Sequence, residues 1–476
     1  MILIWVLLIS SLLQIEAEQE QCYADNTSPY LNFGERTSYF QGREPHQMNL
    51  PKNCKPIYVW GIIRHGTRYP VPIDTILKIK KTLPLIRDQI LMNHKNGRGN
   101  LCKKDLENLK KWNINITTDL RGELTSQGTK ELIFLAKKIK EAFPLLFELQ
   151  QRNIFEFQSS DTNRTRASAL AFSNELMGTN FTTLQGNNIT EDDEFLQLYK
   201  HCPNHAKLVK NPVFHEEIRL FKTSALMQKI TAEISLRLGF LQPLSNQSIM
   251  LMYSICAYEN AWFMDSKPPF CAVFTEEDLK AIEYYEDMES YYIRGYGNPL
   301  PNEKMGCPIV RDMMLSLSKA AKNAGNVAKG KFLFTHCETI IPTTVKLGLQ
   351  KDNEPLKLEN YQKLVEKRKW RSTYFDSFAA NIMVALYRCP NQNGTQDVVI
   401  FHQNEHSVVI PQCISNPCTL DELQFIFQDV FDENRCNTNF CKISEPSKPS
   451  SGYLLRFSFN IIVINLLFIK IINWSS

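Results

Sequence analysis

Several familiar signatures are missing from this sequence. It holds no G-x-x-x-x-G-K-[ST] stretch, so no loop of that kind cradles a nucleoside triphosphate. It holds no G-x-S-x-G, which removes the serine nucleophile on a strand-to-helix elbow. It holds no G-x-G-x-x-G, which removes the dinucleotide fingerprint. A strong excess of one charge is also lacking, since 54 Lys and Arg face 50 Asp and Glu for a net +4. No basic run is interleaved with aromatics, and together these argue against a nucleic-acid partner. A local basic pocket for a small anion remains compatible with a nearly neutral whole. There is no internal repeat. No KDEL-like ending is present, which withdraws retention in the endoplasmic reticulum by that route.

What is present describes an ordinary globular protein, 43% hydrophobic and 22% charged. At 476 residues it is expected to form one large domain or two closely joined ones. Residues 1–17 are apolar and end Ile15-Glu16-Ala17, which reads as a secretory signal peptide. No Lys or Arg precedes the apolar run, and an N-terminal membrane anchor is the alternative. Export fits the 13 cysteines, expected to form disulfides, with Cys22 or Cys54 tying down an irregular N-terminal segment. It also fits the Asn-x-Ser/Thr sites at Asn26, Asn115, Asn180, Asn188, Asn246 and Asn393. Asn163 fits the pattern too, but it adjoins the candidate site and is expected to stay bare. The C-terminal tail, residues 446–476, places small residues Ser450, Ser451 and Gly452 before an apolar end. That order resembles a GPI-attachment signal, with a marginal transmembrane helix or a secreted apolar tail as alternatives.

The apolar run Tyr58–Ile63 reads as a buried strand that ends in Arg64-His65-Gly66-Thr67-Arg68. Arginine forks match phosphate oxygens bidentately, and an unprotonated imidazole among them can attack phosphorus. Helical spacing follows over Ile73–Met92 and again over Gly128–Phe143. Ile154–Phe157 reads as a second strand and leads through Asp161-Thr162-Asn163-Arg164-Thr165-Arg166 into a helix. Lys331–Phe334 reads as a third strand and ends in Thr335-His336-Cys337-Glu338. Val398–Phe401 reads as a fourth. Strands alternating with helices predict an α/β fold, a mainly parallel sheet flanked by helices. Ligands of such sheets sit at the carboxyl ends of strands, where these polar groups lie.

RHGTRYP, residues 64–70, resembles the signature of the histidine phosphatases, in their acid phosphatase and phytase branch. Leu124-Thr125-Ser126-Gln127-Gly128 is also similar to that family. The spacing His336-x-Glu338 narrows the likeness to the multiple inositol polyphosphate phosphatases, since acid phosphatases and many phytases carry His-Asp. Phe221-Lys222-Thr223, Arg294-Gly295-Tyr296-Gly297, and Cys256 and Cys271 around Trp262 add to it. The likeness runs from about Asn53 to Leu420. It implies His65 as nucleophile, Glu338 as proton donor, and phosphate binding by Arg64, Arg68, Arg164 and His336. Arg166 competes with Arg164, which counting back from the helix start favours. Cys337 departs from the family's usual alanine.

The resemblance implies hydrolysis of inositol polyphosphates such as phytate through a phosphohistidine, with 2,3-bisphosphoglycerate as a second substrate. Lys222 and Arg294 are candidates for meeting a substrate's further phosphates. No metal or cofactor is called for, and the partner expected is a small anionic phosphorylated substrate. His201-Cys202-Pro203-Asn204-His205 carries metal-ligand residue types, but export favours a disulfide at Cys202. The expected domains are a core of residues 18–178 and 308–445 with a mostly helical insertion, 179–307. Cys256 and Cys271 are a candidate disulfide, and Cys413/Cys418 and Cys436/Cys441 are candidate local staples. A broad-specificity acid phosphatase and a non-catalytic binder of phosphorylated anions remain as alternatives.

Overall fold

The computed structural model describes residues 22–442, apart from 28–29, 42–47, 49–50, 148–154, 179–188, 323–327 and 393. The signal-peptide and tail expectations, with Asn180, Asn188 and Asn393, therefore lie outside the described residues.

The first strand, β1, spans Lys55–Arg64 and is buried from Tyr58 onward. Its side chains alternate between two cores, as a strand's period of two requires. Trp60 and Ile62 pack with Met313 and Leu317 of the helix Pro299–Lys322. Val59 and Ile63 pack with Leu132, Leu135 and Ile139 of the helix Ser126–Ala142. Helices thus cover both faces, which accounts for the unbroken apolar run of β1 and for that of Phe332–Phe334 beside it.

The further strands are β2 Phe155–Ser159, β3 Ile189–Glu191, β4 Gly330–Thr335, β5 Asn381–Asn391, β6 Gly394–Gln403, β7 His406–Val408 and β8 Cys418–Thr419. Their order is β3-β2-β4-β1-β5-β6-β7, with β8 also on β6. β3, β2, β4 and β1 are parallel neighbours, as the alternation of strands and helices predicts. β5 is antiparallel to β1 and to β6 and was not read from the sequence. Its run Ile382-Met383-Val384-Ala385-Leu386 is buried on both faces and has no alternation to mark it as strand rather than buried helix.

Of the expected insertion, the described residues 189–307 are mostly helical, but β3 from this segment joins the main sheet, and the helix Pro299–Lys322 runs across residue 307. The long helices Asn246–Trp262 and Glu276–Arg294 enclose a large separate core with Phe221, Tyr253, Tyr284 and Trp370.

Among the 13 cysteines, Cys337 alone is free. Cys256 pairs with Cys271, and Cys413 with Cys418, as expected. Cys22 pairs with Cys102 and Cys54 with Cys389, so both N-terminal cysteines tie that segment down. The Cys436/Cys441 staple is not formed. Cys436 bonds Cys307 and Cys441 bonds Cys202, across 129 and 239 residues of sequence. The two thiols face different walls: Cys436 joins the core around Met313 and Leu317, and Cys441 that of Leu198 and Met305. Crosslinks over such distances restrict the unfolded chain more than a local loop does. Cys202 is thus no thiolate ligand.

Asn115 is exposed, and Asn26 and Asn246 are partly exposed. Among the described residues no helix is long and apolar enough to cross a membrane.

The turn after β1 lies against the N-terminus of the helix Ser126–Ala142 with no room to spare. A Cβ on Gly66 would stand 2.5 Å from the Gly128 carbonyl oxygen, and one on Gly128 would stand 2.3 Å from that of Thr67. Gly128→Ala is expected to lower stability by about 1–3 kcal/mol, since backbone rather than a pliable side chain must move. A thermal melt of the full chain checks this, and an unchanged midpoint would contradict the contact.

Candidate active site

The carboxyl ends of β2, β4 and β1 lie side by side, with Arg64 opposite Thr335 and Ser159 opposite Phe334. This register brings three distant sequence segments to one edge. Arg64 closes β1, and His65 follows with its N–H bonded to the Thr335 carbonyl at 3.0 Å. Arg164 sits in the first turn of the helix Asn163–Met177, which Thr162 caps. His336 precedes the helix Cys337–Lys346, and Glu338 lies in its first turn.

The rings of His65 and His336 meet edge to face, 5.3 Å between centroids. His65 Nδ1 lies 2.9 Å from the Gly66 carbonyl oxygen. A carbonyl only accepts, so Nδ1 carries the proton and Nε2 keeps its lone pair. Burial, with the charges of Arg164, Arg64, His336 and Arg68 around it, holds the His65 imidazole well below its ordinary value of 6.5. Burial and the cations Arg164, Lys200, Arg64 and Arg68 do the same to His336. Both rings are therefore neutral near pH 7, so His336 is not the standing positive charge that a protonated ring would supply.

Arg64 is fully buried. Its Nη1 donates to the carbonyls of Glu35, at 2.7 Å, and Asp376. The Asp376 carboxylate stands 4.0 Å away, and burial pushes it up to about 8. Arg68 Nη1 donates to the Tyr258 hydroxyl at 3.2 Å, and Trp262 Nε1 donates to the Arg68 carbonyl at 3.1 Å. The helix Asn246–Trp262 thus props this arginine with an aromatic pair stacked at 5.5 Å. Among the described residues, Nε and Nη2 of Arg64, Nε of Arg68, Nε of Arg164 and Nδ1 of His336 are buried without a partner. Buried donors are nearly always satisfied, so the unfilled guanidinium donors around His65 suit an anion.

Arg166 points elsewhere. It is partly exposed and pairs with Asp161 at 2.7 Å and Glu191 at 2.9 Å. Asn163 is exposed, yet its amide donates to Glu123 at 2.9 Å. Lys222 ends the helix Pro212–Lys222 on the surface, and among the described residues no hydrogen bond or ion pair ties it to the pocket. Arg294 does reach the pocket edge, where it meets Glu338 at 3.7 Å.

Sequence reasoning missed Glu131. Fully buried, it accepts from the Thr67 N–H at 2.8 Å, the Thr67 hydroxyl at 2.8 Å, the Ser38 hydroxyl at 2.6 Å and the Tyr39 N–H at 3.2 Å. It fastens the turn after His65. A signal was available: it is a lone charge beside Gly128 and Leu132 on a face otherwise apolar. Tyr199 and Lys200 were missed too, on a short turn whose Tyr199 ring lies 6.4 Å from that of His336.

Residues 57–404 match the family model for the histidine phosphatase superfamily, branch 2. The chain is 31% identical over 459 residues to multiple inositol polyphosphate phosphatase 1 of Drosophila melanogaster, covering 94% of this chain and 95% of that one. It is 26% identical over 465 residues to the Homo sapiens protein of the same name, covering 92% and 93%. In fold it is similar to Bifidobacterium longum multiple inositol polyphosphate phosphatase in complex with inositol hexasulfate. The TM-score is 0.62 at 15% identity, over 83% of this chain and 97% of that one. The phytase from D. castellii gives a TM-score of 0.67 at 17% identity, over 87% and 91%.

Two predictions follow from this packing. Burial raises Glu131 to about 7, but an amide there would set N–H against N–H. Glu131→Gln is expected to cost about 1–3 kcal/mol and to lower kcat/KM, read by denaturant unfolding and steady-state rates. The second concerns His336. A depressed imidazole takes its proton first in the unfolded chain, so its stabilisation is complete above 6.5 and lost as pH falls below. The melting temperature should therefore fall between about pH 7 and pH 5, and fall less in His336→Asn. Equal slopes in the two proteins would contradict a neutral buried ring.

Proposed function

Because the chain belongs to branch 2 of the histidine phosphatase superfamily, and within it to the multiple inositol polyphosphate phosphatases, we propose that it hydrolyses inositol polyphosphates such as phytate. The observation that carries this is the group of unpartnered buried donors on Arg64, Arg68 and Arg164, beside the unpartnered His336 Nδ1, around a neutral imidazole. Such a site suits a phosphoryl group that carries charge on three oxygens.

In the proposed reaction, His65 Nε2 attacks phosphorus. The P–N bond forms, the P–O bond to the inositol breaks, and Glu338 gives its proton to the leaving oxygen. Arg64, Arg68 and Arg164 bind the phosphoryl oxygens, and His336 Nδ1 donates to one of them. In the second step a water attacks phosphorus, its proton returns to Glu338, and the P–N bond breaks. The residues of this chain suffice for both steps. The family likeness extends the proposal to 2,3-bisphosphoglycerate.

Disulfides and the sequons at Asn26, Asn115 and Asn246 support passage through the secretory pathway. We propose that the protein reaches the cell surface or medium and that its tail carries the attachment signal. Release from cells by a phosphatidylinositol-specific phospholipase C would support a GPI anchor; retention would refute it.

His65→Ala is expected to abolish phosphate release from phytate while phytate still binds, measured by product isomers and by calorimetry. Wild-type turnover in that variant would remove His65 as the nucleophile. Glu338→Gln should cost about 10²–10⁴-fold on an alkyl phosphate and far less on an aryl phosphate, whose leaving group needs less protonation. Equal losses on both would contradict the acid role.

A further inference from the structure

We propose that Arg294, braced by Glu35 and joined by the Cys337 thiol, is a positioning residue that holds the Glu338 carboxylate at the pocket edge. This rests on the reading of Glu338 as proton donor. It gives Arg294 a duty other than direct contact with the substrate.

Four side chains from three elements carry the inference. Arg294 ends the helix Glu276–Arg294, and Glu338 opens the helix Cys337–Lys346. A cation at a helix C-terminus and an anion at a helix N-terminus are each favoured there by the peptide dipoles. Arg294 Nη1 lies 3.7 Å from Glu338 Oε1 and 3.1 Å from Cys337 Sγ. Its Nη2 lies 3.3 Å from Glu35 Oε2. Cys337 Sγ donates to Glu338 Oε2 at 3.0 Å. Each Glu338 oxygen thus has its own partner, and both partners lie outside the phosphate-binding set.

The arrangement is rigid on the Arg294 side. A Cβ on the following residue, Gly295, would stand 2.4 Å from the Trp370 ring, so the helix end is pressed against that indole. Tyr291, one turn earlier, meets the same indole edge to face at 5.6 Å. Glu35 is anchored from the other side, since its carbonyl accepts from Arg64 Nη1 at 2.7 Å. The charges of Arg294, Arg64, Arg36 and Arg68 outweigh its burial and lower the Glu35 carboxyl to about 2, so it braces Arg294 as an anion. Burial raises the Cys337 thiol well above its ordinary value, so it keeps its proton and can donate. Alanine at this position, the usual residue of the resembled family, has no proton to give.

Glu338 itself is the most exposed of the four. A carboxyl on a half-open helix start has several rotamers, and an acid displaced by about 1 Å can lose a large factor in rate. The Arg294 fork and the thiol select one of them.

The test is a double-mutant cycle on the full chain, with glycerol 2-phosphate as alkyl substrate and p-nitrophenyl phosphate as aryl substrate. Arg294→Gln should lower kcat on the alkyl substrate by about tenfold to hundredfold, with KM changed less than about threefold, and lower it less on the aryl substrate. In the Glu338→Gln background the same change should cost less than about twofold, because its target is gone. Glu35→Gln should act in the same direction, and Arg294→Lys should recover part of the loss. Should Arg294→Gln not fold, Glu35→Gln and Cys337→Ala each run through the same cycle. Losses confined to KM, or losses that multiply with those of Glu338→Gln, overturn the proposal and make Arg294 a substrate contact. The single variant Glu338→Gln tests the underlying reading separately. Equal loss on the two substrates there sinks the acid role itself, whatever Arg294 does.

Discussion

Three guanidiniums and two imidazoles share one largely buried space, and their mutual repulsion is the constraint that the surrounding structure answers. Burial removes the water that would screen like charges. Burial first, and then the surrounding cations, keep the His65 ring neutral, with its Nε2 lone pair free. The cost of the repulsion is offset from behind the cations rather than in the pocket. Glu35, held as an anion, faces Arg64 and Arg68 as well as Arg294, and the carbonyls of Glu35 and Asp376 accept from Arg64. An acid inside the pocket would fill the donors that a phosphate needs.

The cage depends on backbone held in place from several directions. The turn after β1 is tied to the neighbouring helix by Glu131 and by the Gly66–Gly128 contact. The Thr125 hydroxyl caps that helix at Gly128 and also donates to the Thr67 carbonyl at 2.9 Å. Arg68 is held by Tyr258 and Trp262 of the helix Asn246–Trp262, and Arg294 comes from the helix Glu276–Arg294. The helical segment therefore does more than roof the sheet. It supplies the props for Arg68, one of the arginines of the proposed phosphate site, and the partner of the proposed acid.

Much of this was legible in order along the chain. The strand before His65 announced itself by a continuous apolar run, and the turn by Arg-His-Gly. His336 and Glu338 could be found because they end another such run. β5 could not, because Ile382-Met383-Val384-Ala385-Leu386 suits a buried helix as well as a strand between two neighbours. Cys436 and Cys441 looked like partners because they are close in sequence, but sulfurs pair by where the walls of the core place them. Arg294 read as a candidate contact for a substrate's further phosphates, and its neighbours Glu35 and Glu338, far away in sequence, could not be read beside it.

The sequence by itself determined the chemistry: which residue types stand at strand ends, and that imidazoles, arginines and a carboxyl are available in one chain. These are local properties, carried by periodicity and by motifs a few residues long. Tertiary structure alone decided which of those groups share a pocket and which acids stand beside which cations. Such choices depend on sheet register and on the packing of helices far apart in the chain. Desolvation, which sets the protonation of His65, exists only once those distant segments have closed around it.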